Sequence, residues 1–311
     1  MRVLVTGASG FLGRNLLAAS DPESTVFALY RRASDFPEWL RAHDLAHVVP
    51  VRCDLGSAAS TTALRQAIGE KLDAIVHLAA NADPAVSVRD PRTDLLDGPG
   101  SLIALLTSLE CDRFVYFSSG AVYDGLSGLV GPDTPLRPTL PYAISKQACE
   151  HYVRHFRATG RIGSYIIVRF FGAYGPYEPE RKIYTRLVRW ALEAPDEPFE
   201  IRGNGENLID AMYVSDAVRA IVLMIHAGVG DEVVDLGSGA PMTINDLVIR
   251  AGRILGRPAA RIRHVGSVPE YIQFSTSPEK MTQLYGFTPE VALEEGLVRL
   301  RSHLAPVEAG R

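Results

Sequence analysis

Short apolar, β-rich runs recur along the chain, separated by longer stretches with helical spacing of apolar residues. The runs fall at 3–6, 25–30, 48–53, 74–78, 114–118, 165–169 and 233–236. Strands alternating with helices predict a parallel sheet covered on both faces, a doubly wound α/β fold of the Rossmann type. Between the strands, 101–109 and 143–156 carry apolar residues at the spacing of core helices. From about Phe170 onward the alternation degrades, and the clusters GPYEPE, EAPDEP and RGNGEN interrupt short helices. This pattern predicts a sheet domain over residues 1–169, its sheet completed by about 206–237. Residues 170–205 and 238–311 are expected to form a smaller substrate lobe over the carboxyl ends of the strands, where such sheets bind ligands.

The sequence opens MRVLVTGASGFLG, an apolar strand that runs directly into Gly7, Gly10 and Gly13 and then into a helical run at 14–19. Gly7 permits a tight strand-to-helix turn, Gly10 lets backbone approach a pyrophosphate, and Gly13 lets the helix pack closely on the sheet. Free N–H groups and the positive dipole end of the helix then face the phosphates. The turn, with Ser9, Phe11 and Leu12 between its glycines, predicts a dinucleotide-binding site.

With 311 residues, 47% of them hydrophobic, the chain can bury one large core, or a core with a smaller lobe packed on it. No uninterrupted apolar run reaches about 18 residues, and residue 1 already begins a strand, so the reading is of a cytoplasmic protein with no membrane partner. A net charge of -4 provides no basic footprint for nucleic acid. Cys53, Cys111 and Cys149 are widely spaced without a metal-ligand pattern and read as reduced, packed thiols. His151 and His155 have a spacing that can bind zinc, yet no third ligand is evident, so they read as helix surface and no metal is expected. His77, within an apolar strand, reads as packed.

Tyr142 and Lys146, in PYAISKQACEHY, stand four residues apart in a helical run and so share one face. A neighbouring ammonium favours the phenolate, the form that accepts a proton. Ser118 and Ser119 end the strand RFVYFSS, at the carboxyl edge of the sheet where the reactive ring of a dinucleotide also lies.

Taken in order, nine segments carry a resemblance: TGASGFLG (6–13), CDL (53–55), HLAA (77–80), FSSGAVYD (117–124), YAISK (142–146), VRFFGAYGP (168–176), YVSDAV (213–218), DLGSG (235–239) and LEEGL (293–297). From end to end the chain resembles the extended short-chain dehydrogenase/reductases of the NAD-dependent epimerase/dehydratase family. The resemblance implies Ser119 as the hydroxyl that polarises the substrate oxygen, Tyr142 as general acid/base, and Lys146 as the group that holds the nicotinamide ribose and tunes the tyrosine. It implies Asp54 at the adenine amino group with Leu55 beside it, and Leu78, Ala79 and Ala80 lining the cofactor cleft. It also implies a homodimer paired through the helices at 101–109 and 143–156.

The chain departs from the family at several places. At the end of the second strand, where NAD-binding members carry Asp, stands Tyr30, followed by Arg31 and Arg32. Guanidinium groups bind a 2′-phosphate through forked, charge-assisted hydrogen bonds, whereas an acid would repel it. The expected cofactor is therefore NADP(H), with NAD as the alternative. Ser119-Gly120-Ala121 lacks the two acids of family dehydratases, which disfavours loss of water and leaves carbonyl reduction or epimerisation. Gly172 replaces a family Asn, and Ile209 replaces the Arg that often binds the nucleotide diphosphate. Substrate contacts are then expected from Gly120, Ala121 and Gly172, with Arg181, Lys182 and Arg202 as compensating cations. The expected function is an NADP(H)-dependent 4-ketoreductase acting on a nucleotide-linked keto-sugar. One alternative is an NAD-dependent nucleotide-sugar 4-epimerase that retains its cofactor; another is a non-catalytic dinucleotide-sensing protein.

Overall fold

The computed structural model describes residues 1–81, 83–193, 197–257, 261–268 and 272–305. Seven parallel strands build one sheet: β1 (Arg2–Thr6), β2 (Thr25–Tyr30), β3 (Val48–Arg52), β4 (Lys71–His77), β5 (Glu110–Ser119), β6 (Ile162–Phe170) and β7 (Glu232–Leu236). Their order across the sheet is β3-β2-β1-β4-β5-β6-β7. Each coincides with one of the seven apolar runs. Where the bounds differ most, in β4, β5 and β6, the strands begin three or four residues before the apolar pattern; in β4 and β5 polar residues at the amino ends still pair, as Lys71 does with Glu110.

The order reverses between β1 and β4, and in such sheets a ligand crevice opens at the carboxyl ends of the strands flanking that switch. Successive residues of β1 feed opposite cores, as the twofold pleat of a strand requires. Val3 and Val5 join a cluster with Leu16, Leu17, Ala217 and Ile221, whereas Leu4 joins one with Leu102, Leu105, Cys149 and Val153. The first cluster buries the helices Phe11–Ala18 and Val214–His226; the second buries Ser101–Ser108 and Pro141–Ala158.

A third cluster gathers Tyr174, Tyr184, Leu187, Val188, Leu247 and Leu297 from the helices Ile183–Glu193, Ile244–Ile254 and Leu293–Leu304 and the short strand Ala173–Tyr174. Phe11 and Leu12, in the glycine turn, pack against this cluster, so it sits beside the crevice. Of the interrupting segment EAPDEP, residues 194–196 lie outside the described residues. No described helix is long and apolar enough to cross a membrane. The three cysteines are buried and unpaired, and burial raises the Cys53 thiol to about 11.

Candidate active site

The glycine turn is built for close approach. Gly7 adopts φ +66, and a Cβ there would lie 2.9 Å from the Ala79 nitrogen. At Gly13 a Cβ would fall 2.5 Å from the carbonyl oxygens of Gly7 and Ala8, so only glycine lets the helix Phe11–Ala18 seat on the turn. That helix starts at Gly10 with no side-chain cap and no acid in its first turn, which leaves its first N–H groups to an anion such as a pyrophosphate. The residues present therefore fit a dinucleotide.

Opposite the turn, Leu78, Ala79 and Ala80 leave β4 half-buried. Their position is set by a bridge that sequence reading missed. The Ala79 N–H donates to Thr6 Oγ1 at 3.1 Å, and Thr6 Oγ1 lies 3.0 Å from His77 Nδ1. Burial lowers His77 to about 3, so it is a neutral packing and hydrogen-bonding group.

At the other end of the crevice the arginine argument needs correction. Tyr30 packs toward the core, its ring centroid 5.2 Å from that of Phe36. Arg31 does not present an open guanidinium: its Nη1 and Nη2 donate to the two carboxylate oxygens of Asp97 at 2.8 and 3.0 Å. Asp54 Oδ1 lies 3.9 Å from the same guanidinium and accepts from the Gly56 N–H. Arg32 is exposed, and Leu55 is buried behind Asp54. Asp97 could not be read from the sequence as a partner, because it comes from the other side of the crevice.

Tyr142 and Lys146 lie on the helix Pro141–Ala158. Proline at its first position suits a helix start, and Gly160, at φ +82, closes its end. The Tyr142 N–H donates to Ser87 Oγ at 3.1 Å, which fixes the first turn. Lys146 is 7% exposed, and its Nζ donates to the Phe117 carbonyl at 2.7 Å. The ammonium stands 5.8 Å from the centroid of the Tyr142 ring and 5.2 Å from that of Tyr116. Two residues beyond Phe117, Ser119 emerges half-buried at the end of β5, so strand and helix converge on one place.

The two serines have different duties. Ser118 is buried and donates to Glu150 Oε1 at 2.7 Å. Ser119 accepts from the Ala121 N–H at 3.1 Å, and its hydroxyl proton is not taken by a protein acceptor among the described residues. Behind them runs a buried polar network that the sequence reading missed. Arg169 forks onto Glu150 at 3.1 and 3.0 Å, and also donates to the Tyr123 hydroxyl at 2.9 Å. Tyr123 in turn donates to Asp235, which also accepts from Thr276, and burial raises Asp235 to about 6. One available signal was the charge of Arg169 inside an apolar strand, since such a residue is almost never buried unpaired. Another was Glu150, two helical steps of four beyond Tyr142 on the same face.

Of the residues expected to meet substrate, Gly120 has so little room that a Cβ would lie 3.2 Å from the Phe171 ring, and Ala121 is half-buried beside it. Asp124, the acid that follows in this turn, accepts from Thr139 and Leu140 and braces the lead into the tyrosine helix. Gly172 adopts φ +142, a conformation that disfavours side chains. Ile209 packs against the third apolar cluster. Arg181 ion-pairs with Asp83, three residues beyond Ala80, at 3.3 Å. Lys182 is exposed next to it, whereas Arg202, exposed at the end of Phe199–Arg202, makes no hydrogen bond or ion pair to the Tyr142 site among the described residues.

Comparison with known proteins matches this arrangement. A UDP-glucuronate 4-epimerase of Thermodesulfobacterium geofontis is 29% identical over 244 residues, 73% of this chain and 71% of that one. A dTDP-glucose 4,6-dehydratase of Streptomyces niveus is 27% identical over 313 residues, covering 96% and 91%. Among solved structures, UDP-glucuronic acid 4-epimerase from Bacillus cereus, in complex with UDP-glucuronic acid and NAD, superposes with a TM-score of 0.86 at 25% identity, covering 97% of this chain and 98% of that one. The NAD dependent epimerase/dehydratase family model spans residues 3–237, the whole seven-stranded sheet with its glycine turn, serine pair and tyrosine helix, and the chain belongs to that family.

Proposed function

We propose that this enzyme is a nucleotide-sugar 4-epimerase that keeps NAD bound through its cycle. The observation that carries the reading is the pairing of Arg31 with Asp97, which removes the strongest argument for NADP(H) and with it the expectation of a ketoreductase that exchanges its cofactor. The relatives support the same choice, since the structures similar to this chain include 4-epimerases holding NAD. Ser119-Gly120-Ala121 offers no carboxyl group for dehydration, and Asp124 is committed elsewhere.

The roles follow from position. Residues 1–169, with the sheet completed by about 206–237, would hold the cofactor, and the described residues within 170–205 and 238–305 would bound the sugar nucleotide. The glycine turn would receive the pyrophosphate, and Leu78, Ala79 and Ala80 would wall the cleft. NAD, when bound, would supply reversible hydride chemistry at the sugar carbon that bears the 4-hydroxyl. Tyr142 takes the proton from the sugar 4-hydroxyl and gives it back to the carbonyl oxygen. Lys146, its ammonium fixed by the Phe117 carbonyl, holds a positive charge 5.8 Å from the centroid of the Tyr142 ring. Ser119 donates its unused proton to the same oxygen. Arg181 and Lys182 would supply cations for the diphosphate.

The test is to purify the protein without added cofactor, denature it, and identify any released dinucleotide, then to incubate the native protein with UDP-glucose or UDP-glucuronic acid and separate the 4-epimers. Released NAD with interconversion in the absence of added cofactor supports the epimerase. A cofactor-free protein that consumes NADPH stoichiometrically with a 4-keto sugar nucleotide would overturn it.

A further inference from the structure

The turn that bears Asp97 is a π-helix, Leu96–Gly100, with Pro99 inside it. A proline within a regular α-helical turn has no N–H to donate and clashes with the carbonyl four residues back, and widening to π geometry moves that carbonyl away from the ring. Ser101 Oγ donates to the carbonyls of Asp97 and Gly98 at 2.6 and 3.0 Å and fastens the widened turn. The turn touches both ends of the site. Gly98 lies against Ser145, one residue before Lys146, where a Cβ would be in ordinary contact at 3.6 Å. Asp97, one residue earlier, reaches the end of β2 and takes both arms of the Arg31 fork.

Beyond the end of the second strand of such a sheet, a ribose 2′-hydroxyl is met by an acid and a 2′-phosphate by an arginine. β2 ends here at Tyr30 and Arg31 follows it, so a cation stands where either choice is made. Two carboxylates, Asp97 and Asp54, face that one guanidinium. The other cations at this rim, Arg32 and Arg52, are exposed. Both partners of the main pair are only partly exposed, 37% for Arg31 and 28% for Asp97, which limits screening by solvent.

The geometry points to Asp97 as the residue that selects NAD over NADP in this chain, by occupying the Arg31 fork and by adding a negative charge that a 2′-phosphate must meet. The acid that a strand end usually supplies comes instead from a π-turn on the far side of the crevice. This inference rests on the dinucleotide-binding reading above, and it concerns Asp97 and Arg31 alone. A bidentate fork given to a carboxylate is unavailable to a phosphate. Opening the pair would leave an unpaired carboxylate beside the incoming anion.

The experiment measures dissociation constants of NAD+ and NADP+ for the cofactor-stripped protein by calorimetry, in the wild type, in Asp97→Asn and in Asp97→Asn with Arg31→Ala. The wild type is expected to prefer NAD+. Asp97→Asn keeps the shape but frees the fork, and should move the affinity ratio toward NADP+ by at least about tenfold, a change of about 1.4 kcal/mol. The double variant should lose that gain, which assigns it to Arg31 rather than Arg32. Thermal unfolding verifies that each variant is folded, and Asp97→Ser gives the same test where the Asn variant is not. An unchanged ratio with both dinucleotides still binding, or a wild type that already prefers NADP+, overturns the role of Asp97 while leaving the cofactor site standing. Failure of the wild type to bind either dinucleotide removes both this inference and the function on which it rests.

Discussion

Ser118 donates a 2.7 Å hydrogen bond to Glu150, one helical turn beyond Lys146, and so ties the end of β5 to the tyrosine helix from beneath. Arg169 on the neighbouring strand β6 completes the tie with its fork onto the same carboxylate. Both charges are nearly sealed from solvent, with side chains 4% and 1% exposed. Removing one partner of such a pair strands the other, which costs about 3–5 kcal/mol, whereas replacing both by apolar groups of similar size is often far milder. Glu150→Ala is therefore expected to be strongly destabilised in urea unfolding, and Glu150→Leu combined with Arg169→Met less so. Equal losses in the single and the double variant would show that the pair does not act as a unit.

Tyr142→Phe removes only the phenolic oxygen and leaves the ring that Lys146 faces. Turnover is expected to fall by about 10² to 10⁴, the usual contribution of a general acid/base. The rise in melting temperature on adding NAD to the cofactor-stripped protein should persist, because the cofactor walls are intact. Near-full turnover by this variant would remove Tyr142 from the chemistry.

Gly13→Ala places a Cβ 2.5 Å from two backbone oxygens that cannot retreat without moving the whole glycine turn. The expected result is a lower melting temperature and loss of the NAD-induced thermal shift. Retention of both would mean that the helix can lift from the turn at little cost.

Glu178 supplies a pH dependence whose sign can be worked out. It is 9% exposed, accepts from the N–H and hydroxyl of Thr185, and is raised from 4.5 to about 7 chiefly by burial, against the lowering effects of Thr185 and Lys182. The folded chain therefore binds this proton more tightly than the unfolded chain. Stability contributed by the protonated group is fully present below the unfolded value and is lost as pH rises toward about 7. Glu178→Gln cannot ionise, so relative to the wild type it should gain about 1–3 kcal/mol between about pH 5 and pH 8. Parallel pH profiles of unfolding for the two proteins would rule out this titration.

Much of the fold was legible because parallel strands buried on both faces write themselves as nearly continuous apolar runs, and all seven runs became strands of one sheet. Their polar amino ends were not legible, since Lys71 and Glu110 owe their strand conformation to a partner rather than to their own character. Tyr142 and Lys146 could be paired from spacing alone because a helix fixes which residues share a face. The neighbouring serines could be told apart only in part: a strand sends successive side chains to opposite faces, but which face holds Glu150 depends on where the helix packs.

Local chemistry and periodicity thus determined the strands of the sheet, the glycine turn and the tyrosine-lysine face, each of which is written within one or two consecutive elements. Tertiary structure alone decided what Arg31 does. In sequence it is a cation at the end of β2, available to any anion. In the fold it meets Asp97, 66 residues further along, because the strand order reverses beside β1 and brings the π-turn across the crevice. A charge takes its meaning from the nearest opposite charge, and nearness across a folded chain is not a property of the sequence interval.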